Sequence, residues 1–364
     1  MRKILYILQS FLRNSSVVNI AIVSDGGVGD CICNLNYAKA LKEYSGSNTE
    51  IDFFVKTKIV CELYDSSEKY LRRIYKKNEY KRMMGKYDVV ICMKERFPFV
   101  LKYDEGKLIR KEKNELVELI SRYKGHYEKF KKFYKYSPSL DGYSVNLSLI
   151  MGFNRVTQPD VDHLLGIKDL NIRIPLNDED KVLSKYKLIK NAYITLNRSV
   201  DSNKKEWEST KLWSKERYLE LINLIKFNNI NIKIVYLGPK HEDWLPSTVI
   251  NLSGETNFND LKVILKHSIL HIGPEGGMIH LRHCIKGGVS CVLFGSTSRK
   301  FYGYKENINI ENKKCCCEHC EWITDQWNEV CPKTQSSSTC EKLQQLTSNS
   351  VFSTIKYILR EKHV

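Results

Sequence analysis

The sequence predicts an α/β protein with two domains, each built around a parallel sheet. Short apolar strands alternate with helical patterns twice along the chain, first from Val17 and again from Ala192. Between the two series the pattern loosens around residues 161–175, where turn-forming residues are typical of a linker. The 364 residues suffice for two such domains. We therefore predict an N-terminal Rossmann-like domain, a C-terminal Rossmann-like domain and a final helix, over residues 1–165, 175–345 and 347–364.

Composition narrows the classes of partner. The formal net charge is +16, and residues 56–135 hold 23 basic and 12 acidic residues, a net charge of +11. This segment is either a solvated basic face or a surface for an anionic partner, such as a phospholipid or a phosphorylated glycan. No nucleic-acid recognition motif accompanies the charge, so we do not expect nucleic acid as a partner.

The sequence holds no clear membrane or export signal. No run approaches the ~20 consecutive apolar residues of a membrane span. Residues 1–13 resemble a weak signal peptide, but Gln9 and Ser10 interrupt the apolar part and no small-residue cleavage site follows. We interpret these residues as a surface or interfacial helix. The expected location is the cytoplasm, and a peripheral contact with the inner face of an anionic membrane stays open.

Half of the twelve cysteines lie between Cys315 and Cys340. Without a secretory signal, this usage favours reduced thiols and a local metal site over a disulfide framework. Cys317 and Cys320 have the C-x2-C spacing that lets two thiolates reach one metal, and Cys331 and Cys340 complete a tetrahedral set for zinc or iron. Further candidates for ligands are Cys315, Cys316 and His319. The alternative is a group of free thiols in a surface loop.

A glycine-rich turn follows the first predicted strand, residues 17–24. Gly26, Gly27 and Gly29 lie in this turn, and Asp30 stands where a helical pattern begins. Glycines at such a place allow a phosphate or a sugar to approach the backbone. The spacing is not the GxGxxG of dinucleotide-binding proteins, which weakens that interpretation. Asp30 taken alone is either the N-cap of the helix or a group with a chemical role.

Residues 269–296 predict a strand, a turn, a helix and a second strand, which is the repeating unit of a parallel sheet. The turn is Gly-Pro-Glu-Gly-Gly, so Gly276 and Gly277 lie where the helix begins. Backbone N–H groups at a helix N-terminus, together with its partial positive charge, bind phosphate well. The alternative is an ordinary tight turn in a Rossmann-like sheet.

This stretch resembles glycosyltransferase family 9, the heptosyltransferase family. The family has a Gly-x-Asp-[Ser/Thr]-Gly-x-x-His turn and a following strand that ends in Phe-Gly-x-Thr. The residues in those places here are Gly273, Glu275, Gly277, His280, Phe294, Gly295 and Thr297. Glu275 stands where many members have Asp.

Two further matches lie elsewhere in the chain. The family begins with a strand followed by Gly-x-x-Gly-Asp, and Gly26, Gly29 and Asp30 match that motif. The first strand of its second domain is followed by a loop bearing Thr or Ser and then by Lys-x-Trp. Here residues 197–201 form the loop and Lys211 to Trp213 the second part.

The resemblance implies the GT-B fold, in which two Rossmann-like domains face a central cleft and the C-terminal helix crosses back to the first domain. It also implies an inverting transferase that uses a nucleotide-diphosphate sugar, with ADP-heptose the favoured donor. The first domain would hold the acceptor: a glycan such as lipopolysaccharide, a lipid-linked glycan or a protein. Asp30 would be the general base that deprotonates the acceptor hydroxyl.

The resemblance places the donor at the carboxyl ends of the strands of the second domain. Lys211 and the amides near Gly276 and Gly277 would neutralise the leaving diphosphate. The alternative for Lys211 is an ordinary solvated lysine. The other residues expected at the donor are Glu275, His280, Arg198, Ser199 and Gly238, which follows a predicted strand.

The resemblance also extends to the cysteines, because many members have cysteines in this place and some autotransporter heptosyltransferases have an iron-binding finger there. It implies a structural metal and no catalytic one. Two alternative functions stay open at this point. One is a non-catalytic, metal-stabilised protein that binds a nucleotide sugar, and the other, resting on charge alone, is a nucleic-acid binder.

Overall fold

The computed structural model describes residues 16–56, 58–93, 97–135, 141–200, 209–228, 230–313, 319–321, 326–335 and 340–361. The predicted N-terminal helix over residues 1–13 lies outside them. Contacts divide the chain into two compact units. The first holds Met1–Pro138 and Arg155–Arg173, and the second holds Ser139–Asn154 and Ile174–Val364. Each has its own sheet, so the predicted α/β class with two parallel-dominated sheets is confirmed.

The described part of the first unit contains a five-stranded sheet in the order β3-β2-β1-β4-β5. The strands are β1 Val18–Ser24, β2 Thr49–Val55, β3 Arg73–Lys76, β4 Val89–Cys92 and β5 Phe99–Tyr103. The first four are parallel to their neighbours, and β5 is antiparallel to β4. The sequence patterns predicted β1, β2 and β4 because these strands are almost wholly buried. They missed the edge strands β3 and β5, which are half exposed and therefore lack a continuous apolar run.

Helices cover this sheet. They are α1 Val28–Ser45, α2 Tyr80–Met83, α3 Glu105–Arg110 and α4 Asn114–Lys135. The long helix α4 buries Leu116, Leu119, Ile120 and Tyr123 and exposes its lysines between residues 124 and 132. This is the helical spacing of an amphipathic helix whose apolar stripe faces a core. Short 3-10 turns connect the elements at Lys58–Glu62, Ser66–Glu68, Lys77–Glu79, Met84–Lys86 and Val161–His163.

The described part of the second unit contains a six-stranded sheet in the order β11-β10-β9-β6-β7-β8. The strands are β6 Tyr193–Asn197, β7 Lys233–Leu237, β8 Val249–Asn251, β9 Leu270–Pro274, β10 Ser290–Phe294 and β11 Ile308–Glu311. All neighbours are parallel. The chain progresses outward from β6 through β7 to β8, then returns to β9 on the other side of β6. In such sheets ligands bind outside the carboxyl ends of the strands at this reversal, here between β6 and β9.

The helices of the second unit surround this sheet. They are α5 Asp141–Ile150, α6 Glu179–Lys185, α7 Lys215–Phe227, α8 Phe258–His267, α9 Gly277–Cys284, α10 Arg299–Tyr302, α11 Glu341–Gln344 and α12 Ser348–Glu361. The predicted helix over residues 213–227 is α7, which begins at Lys215 because the Ser214 side chain accepts the Arg217 N–H as its N-cap.

The contacts group one segment differently from the sequence prediction. Helix α5 lies in the range predicted for the first domain, but it groups with the second unit. It contacts α10, its Val145 is wholly buried, and Asn146 is hydrogen-bonded to the ring of His319 at 2.9 Å. A helical pattern alone does not say which core the helix joins, which is why the sequence did not indicate this.

The final helix, α12, packs against α7 in the second unit. Val351, Phe352 and Ile355 are buried in the core of that unit, and the Trp213 Nε1–H donates to the Leu346 carbonyl at 2.9 Å. The helix itself was predicted. Its crossing back to the first domain stays a prediction, since these contacts lie within the second unit. Among the described residues, none of the helices has the length and apolar content needed to span a bilayer.

Candidate active site

Asp30 lies directly over the glycine turn that follows β1. Gly26 has φ of +108°, a conformation that side chains rarely adopt, and a Cβ there would lie 2.4 Å from Asp30 Oδ2. Helix α1 begins at Val28 with Gly27 as its N-cap, and no side chain caps it. The interpretation of Asp30 as the N-cap is therefore wrong, because the helix begins two residues earlier. The missing side chain at Gly26 lets the backbone lie close to the Asp30 carboxylate.

The Asp30 carboxylate is paired with a cation that the sequence patterns did not identify. Arg155 Nη2 lies 2.7 Å from Asp30 Oδ1. The Arg155 side chain is only 3% exposed, whereas that of Asp30 is 36% exposed. A buried guanidinium needs a counter-charge, so this pair holds both groups in place. The next residue, Cys31, has its pKa raised to about 12 by burial and, secondarily, by the negative charge of Asp30.

Polar groups also meet at the carboxyl ends of the strands in the first unit. Asp25, directly after β1, forms an ion pair with Lys77, directly after β3. The Asn34 amide donates to the Ser24 hydroxyl at 2.9 Å, which ties α1 to the end of β1. The carboxyl edge of this sheet is therefore polar and charged around Asp30.

Lys211 and Glu275, each predicted to contact the donor, are bonded to each other. Lys211 Nζ lies 2.6 Å from Glu275 Oε2, with side chains 18% and 6% exposed. Glu275 follows β9, whose neighbour β6 marks the reversal of strand order. The pair thus lies at the edge of the sheet where a ligand is expected, and the interpretation of Lys211 as a solvated lysine is wrong.

Gly276 and Gly277 form the start of α9. Gly276 is the N-cap in an extended conformation, and α9 runs from Gly277. A Cβ at Gly276 would contact the Val200 side chain at 3.8 Å, so the loops after β6 and β9 are adjacent. A helix N-terminus and a lysine ammonium, the latter paired with Glu275, thus lie at this edge of the sheet, and both are groups that bind phosphate.

The other predicted donor residues have structural partners. Arg198 Nε donates to the Trp213 carbonyl at 2.7 Å, which ties the loop after β6 to the start of α7. The Ser199 hydroxyl is hydrogen-bonded to the Asn197 side chain at 2.7 Å. The Gly238 carbonyl accepts the Gly254 N–H at 2.8 Å. All three follow the carboxyl ends of β6 or β7, and their contacts shape the loops there.

His280 lies on α9 with its ring 5% exposed. Its Nδ1 lies 2.6 Å from the Tyr304 hydroxyl, and Tyr304 in turn stacks on His283 with ring centroids 3.8 Å apart. The Tyr304 hydroxyl can donate to this nitrogen or accept its proton, and in either case the hydrogen bond fixes the orientation of the His280 ring. The sequence patterns did not indicate Tyr304.

The Lys211 ammonium also lies against two aromatic rings. It is 5.9 Å from the centroid of Tyr302 and 5.5 Å from that of Trp327, both within the range of a cation–π interaction. Neither ring was predicted for the site. The only sequence signal was the presence of aromatic residues near the family motif and the cysteines.

Three of the four predicted metal ligands line one cavity of about 220 Å³, whose other lining residues include His319 and Gly295. These three are Cys320, Cys331 and Cys340, and Cys317 lies outside the described residues. Burial raises the pKa of the Cys331 thiol, but hydrogen bonds from the Glu341 backbone and from Thr334 outweigh burial and lower it. Within the residues that the structure describes, no group of three or more Cys, His, Asp or Glu is arranged to hold a metal. The metal site is therefore not confirmed.

Comparison with known proteins gives the class of fold. No family model matches the sequence, and no curated protein matches it either. Solved structures do match, and those named below are glycosyltransferases, which is consistent with the GT-B fold. Across 95% of this chain and all of the other, the structure is similar to ADP-heptose lipopolysaccharide heptosyltransferase II of E. coli, with a TM-score of 0.55 and 11% identity.

Two other solved structures are similar over nearly the whole chain. A family 9 glycosyltransferase from Veillonella parvula matches with a TM-score of 0.58 and 13% identity, over 94% of this chain and 98% of the other. The iron-containing dodecameric glycosyltransferase TibC of enterotoxigenic E. coli matches with a TM-score of 0.61 and 11% identity, over 95% and 77%. TibC has also been solved in complex with ADP-D-β-D-heptose. At these identities the similarity establishes the fold, and the predicted resemblance is confirmed at that level.

Proposed function

We propose that this protein is an inverting glycosyltransferase that moves a sugar from a nucleotide diphosphate to an acceptor hydroxyl. The observation that carries the proposal is the position of Lys211. Its ammonium lies beside the N-terminus of α9, at the reversal of strand order in the second sheet. A cation and a helix N-terminus together are suited to a diphosphate, whose negative charge increases as the bond to the sugar breaks.

The donor we favour is ADP-heptose. The similar E. coli enzyme is an ADP-heptose heptosyltransferase, and TibC has been solved with ADP-D-β-D-heptose. On this proposal the diphosphate binds at Lys211 and near Gly276 and Gly277. Glu275 holds the ammonium before the donor arrives, and the hydrogen bond to Tyr304 holds the His280 ring in place beside the donor. Arg198, Ser199 and Gly238 shape the loops that border the donor.

Asp30 is the proposed general base. Its carboxylate takes the proton of the acceptor hydroxyl as the hydroxyl oxygen bonds to the anomeric carbon, while the bond from that carbon to the diphosphate breaks. Arg155 at 2.7 Å stabilises the ionised carboxylate and directs it. Gly26 leaves the space that Asp30 Oδ2 needs. The acceptor class we propose is a surface glycan, free or lipid-linked, or a protein.

A structural metal is a separate part of the proposal. Cys317, Cys320, Cys331 and Cys340 would hold zinc or iron and would fix the loop that contains them. Three of these thiols line one cavity, and thiolates are the ligands that zinc and iron prefer. TibC is described as iron-containing. No catalytic step depends on this metal.

A thermal-shift panel tests the donor directly. The purified protein is melted with ADP, GDP, UDP, CMP and the corresponding sugar nucleotides, because binding to the folded state alone raises the melting temperature. We expect stabilisation by ADP and ADP-heptose, and none in the Lys211→Met variant. Stabilisation by another base would keep the reaction class but replace the sugar donor. A protein that none of them stabilises would contradict the proposed function.

A further inference from the structure

The loop that carries Lys211 is bound to the part of the chain that contains the cysteines. We call the described residues 319–321 and 326–335 the cysteine segment. The Thr210 N–H donates to the Asn328 carbonyl at 3.0 Å, and its hydroxyl donates to the Trp327 carbonyl at 2.7 Å. The Ser209 hydroxyl is hydrogen-bonded to the Asn328 side chain. Thr210 is completely buried, so these bonds are shielded from water.

The same segment supplies the surroundings of the Lys211 ammonium. The Trp327 ring lies 5.5 Å from Lys211 Nζ and is 7% exposed. The second ring, Tyr302, is fixed through Glu321 of the cysteine segment, because the Tyr302 hydroxyl donates to Glu321 Oε2 at 3.1 Å. Glu321 is wholly buried, and its other oxygen accepts the Ser298 N–H at 3.0 Å.

These contacts matter because a lysine side chain has four rotatable bonds and loses much freedom when it is held. Glu275 holds the ammonium by an ion pair, and the two rings lie against it at 5.9 and 5.5 Å. Both rings depend on the cysteine segment, one by belonging to it and one through Glu321. The position of the ammonium is therefore set largely by residues that no motif assigned to the donor.

We propose that Trp327 and Thr210 are positioning residues for Lys211, so that the cysteine segment forms one wall of the diphosphate site. The inference rests on the proposed function, in which Lys211 binds the donor diphosphate. It gives the cysteine segment a role in substrate binding in addition to any role in stability. Trp327 acts by holding the ammonium with its ring face, and Thr210 by joining the Lys211 loop to the segment.

Two measurements test this. The first is the labelling rate of the Lys211 amine with an acetylating reagent, read by mass spectrometry, which requires no donor. We expect faster labelling in Trp327→Leu and Thr210→Val than in the wild type. The second is calorimetric titration with ADP and AMP. Loss of the Trp327 ring should lower the affinity for ADP about tenfold and that for AMP far less. The two nucleotides differ in the phosphate that Lys211 would bind. Trp327→Phe, which keeps a ring, should recover most of the loss.

Matched controls separate positioning from general damage to the fold. Trp244→Leu removes a tryptophan of the same unit that packs on Tyr236 at 5.5 Å. Thr195→Val removes a buried hydroxyl that contacts Ser268 and His271. Neither control should change Lys211 labelling or the ratio of ADP to AMP affinity. In a Lys211→Met background, Trp327→Leu should have no further effect on that ratio, since two residues that act through one group are not additive.

The outcomes are distinct. If the wild type binds ADP but Trp327→Leu and Thr210→Val leave both the labelling rate and the affinity ratio unchanged, this proposal is overturned and the proposed function stands. If ADP and AMP lose affinity equally in Trp327→Leu and in Trp244→Leu, the effect is structural and the proposal is also overturned. If the wild type binds no nucleoside diphosphate, the proposed function is wrong, and so is the role of the cysteine segment as one wall of a diphosphate site.

Discussion

Lys211 and Glu275 form an ion pair of 2.6 Å across 64 residues of sequence. The two residues come from separate motifs, each expected to contact a donor, and they are bonded to each other in the second unit. The carboxylate is 6% exposed, so its charge is largely removed from water and depends on the lysine. Any anion that binds Lys211 must share or replace this partner.

Loss of one member of this pair should destabilise the fold. Glu275→Gln leaves the Lys211 charge without its counter-charge, and Lys211→Met leaves a buried carboxylate. Breaking a buried pair costs about 3–5 kcal/mol, and because Lys211 keeps some contact with water we expect about 2–3 kcal/mol in the free energy of unfolding. Urea unfolding measures this.

The double variant gives the control. Glu275→Gln combined with Lys211→Met removes both charges, so its loss of stability should be clearly smaller than the sum of the two single losses. Additive losses would mean that the two side chains do not interact. Removal of the exposed pair Lys131–Glu128 should leave the free energy of unfolding nearly unchanged.

A methyl group at Gly26 should displace Asp30. Gly26→Ala places a Cβ 2.4 Å from Asp30 Oδ2 and strains a backbone with φ of +108°. We expect a loss of about 1–3 kcal/mol of stability and a much larger fractional loss of transfer activity than of donor affinity. Gly85→Ala is the matched control, because a Cβ at Gly85 meets nothing within 4 Å. Full activity in Gly26→Ala would mean that the turn does not set the position of Asp30.

Two buried histidines should make stability depend on pH. Burial lowers the pKa of His271 to about 3 and that of His126 to about 4. In the unfolded chain a histidine has a pKa near 6.5, so below about pH 6.5 the unfolded state binds more protons than the folded one. The free energy of unfolding should therefore fall as the pH is lowered from about 6.5, with each histidine contributing about 1.4 kcal/mol per pH unit until its folded pKa is approached.

His126→Phe tests this contribution. The His126 ring packs between the rings of Phe97 and Phe130, with centroid distances of 4.6 and 4.8 Å. A phenylalanine ring can therefore replace it in these aromatic surroundings. Urea unfolding at pH 7.5 and pH 5 should show a smaller difference in the variant than in the wild type. His241, whose side chain is 62% exposed, is the control, and its replacement by Gln should leave the difference unchanged. If the free energy of unfolding changes equally between pH 7.5 and pH 5 in His126→Phe and in the wild type, His126 does not contribute to the pH dependence.

The structural metal gives a prediction independent of turnover. Elemental analysis of the purified protein should find about one zinc or iron per chain. Cys331→Ser, Cys340→Ser or a strong chelator should remove the metal and lower the melting temperature, because the bound metal stabilises the folded state. Cys61→Ser, at an exposed cysteine of the first unit, is the control. The metal site would be refuted if the purified protein contained no metal and if the cysteine variants had the melting temperature of the wild type.

Local patterns predicted the parts of the site that neighbouring residues determine. The turn with Gly26 and Asp30 and the turn with Glu275, Gly276 and Gly277 each form where the glycines allow a strand to pass directly into a helix. Buried strands were also predicted from local sequence, because a short continuous apolar run bounded by turn residues is typical of a strand buried on both faces.

Long-range contacts escaped prediction. Arg155 reaches Asp30 across 125 residues, and Trp327 is joined to Thr210 across 117. Neither residue lies in a motif, and a single arginine or tryptophan in a loop has no distinctive sequence pattern. Edge strand β3 was missed because its half-exposed residues form neither the continuous apolar run of a buried strand nor the spacing of an amphipathic helix.

The most direct measurement is transfer of radiolabelled heptose from ADP-heptose to lipopolysaccharide, capsular glycan and protein fractions, by the wild type and by Asp30→Asn. We predict transfer by the wild type with inverted anomeric configuration, and a loss of about 10²- to 10⁴-fold in kcat for Asp30→Asn with nearly unchanged affinity for ADP. Undiminished transfer by Asp30→Asn, or a product that retains the configuration of the donor, would contradict the proposed mechanism.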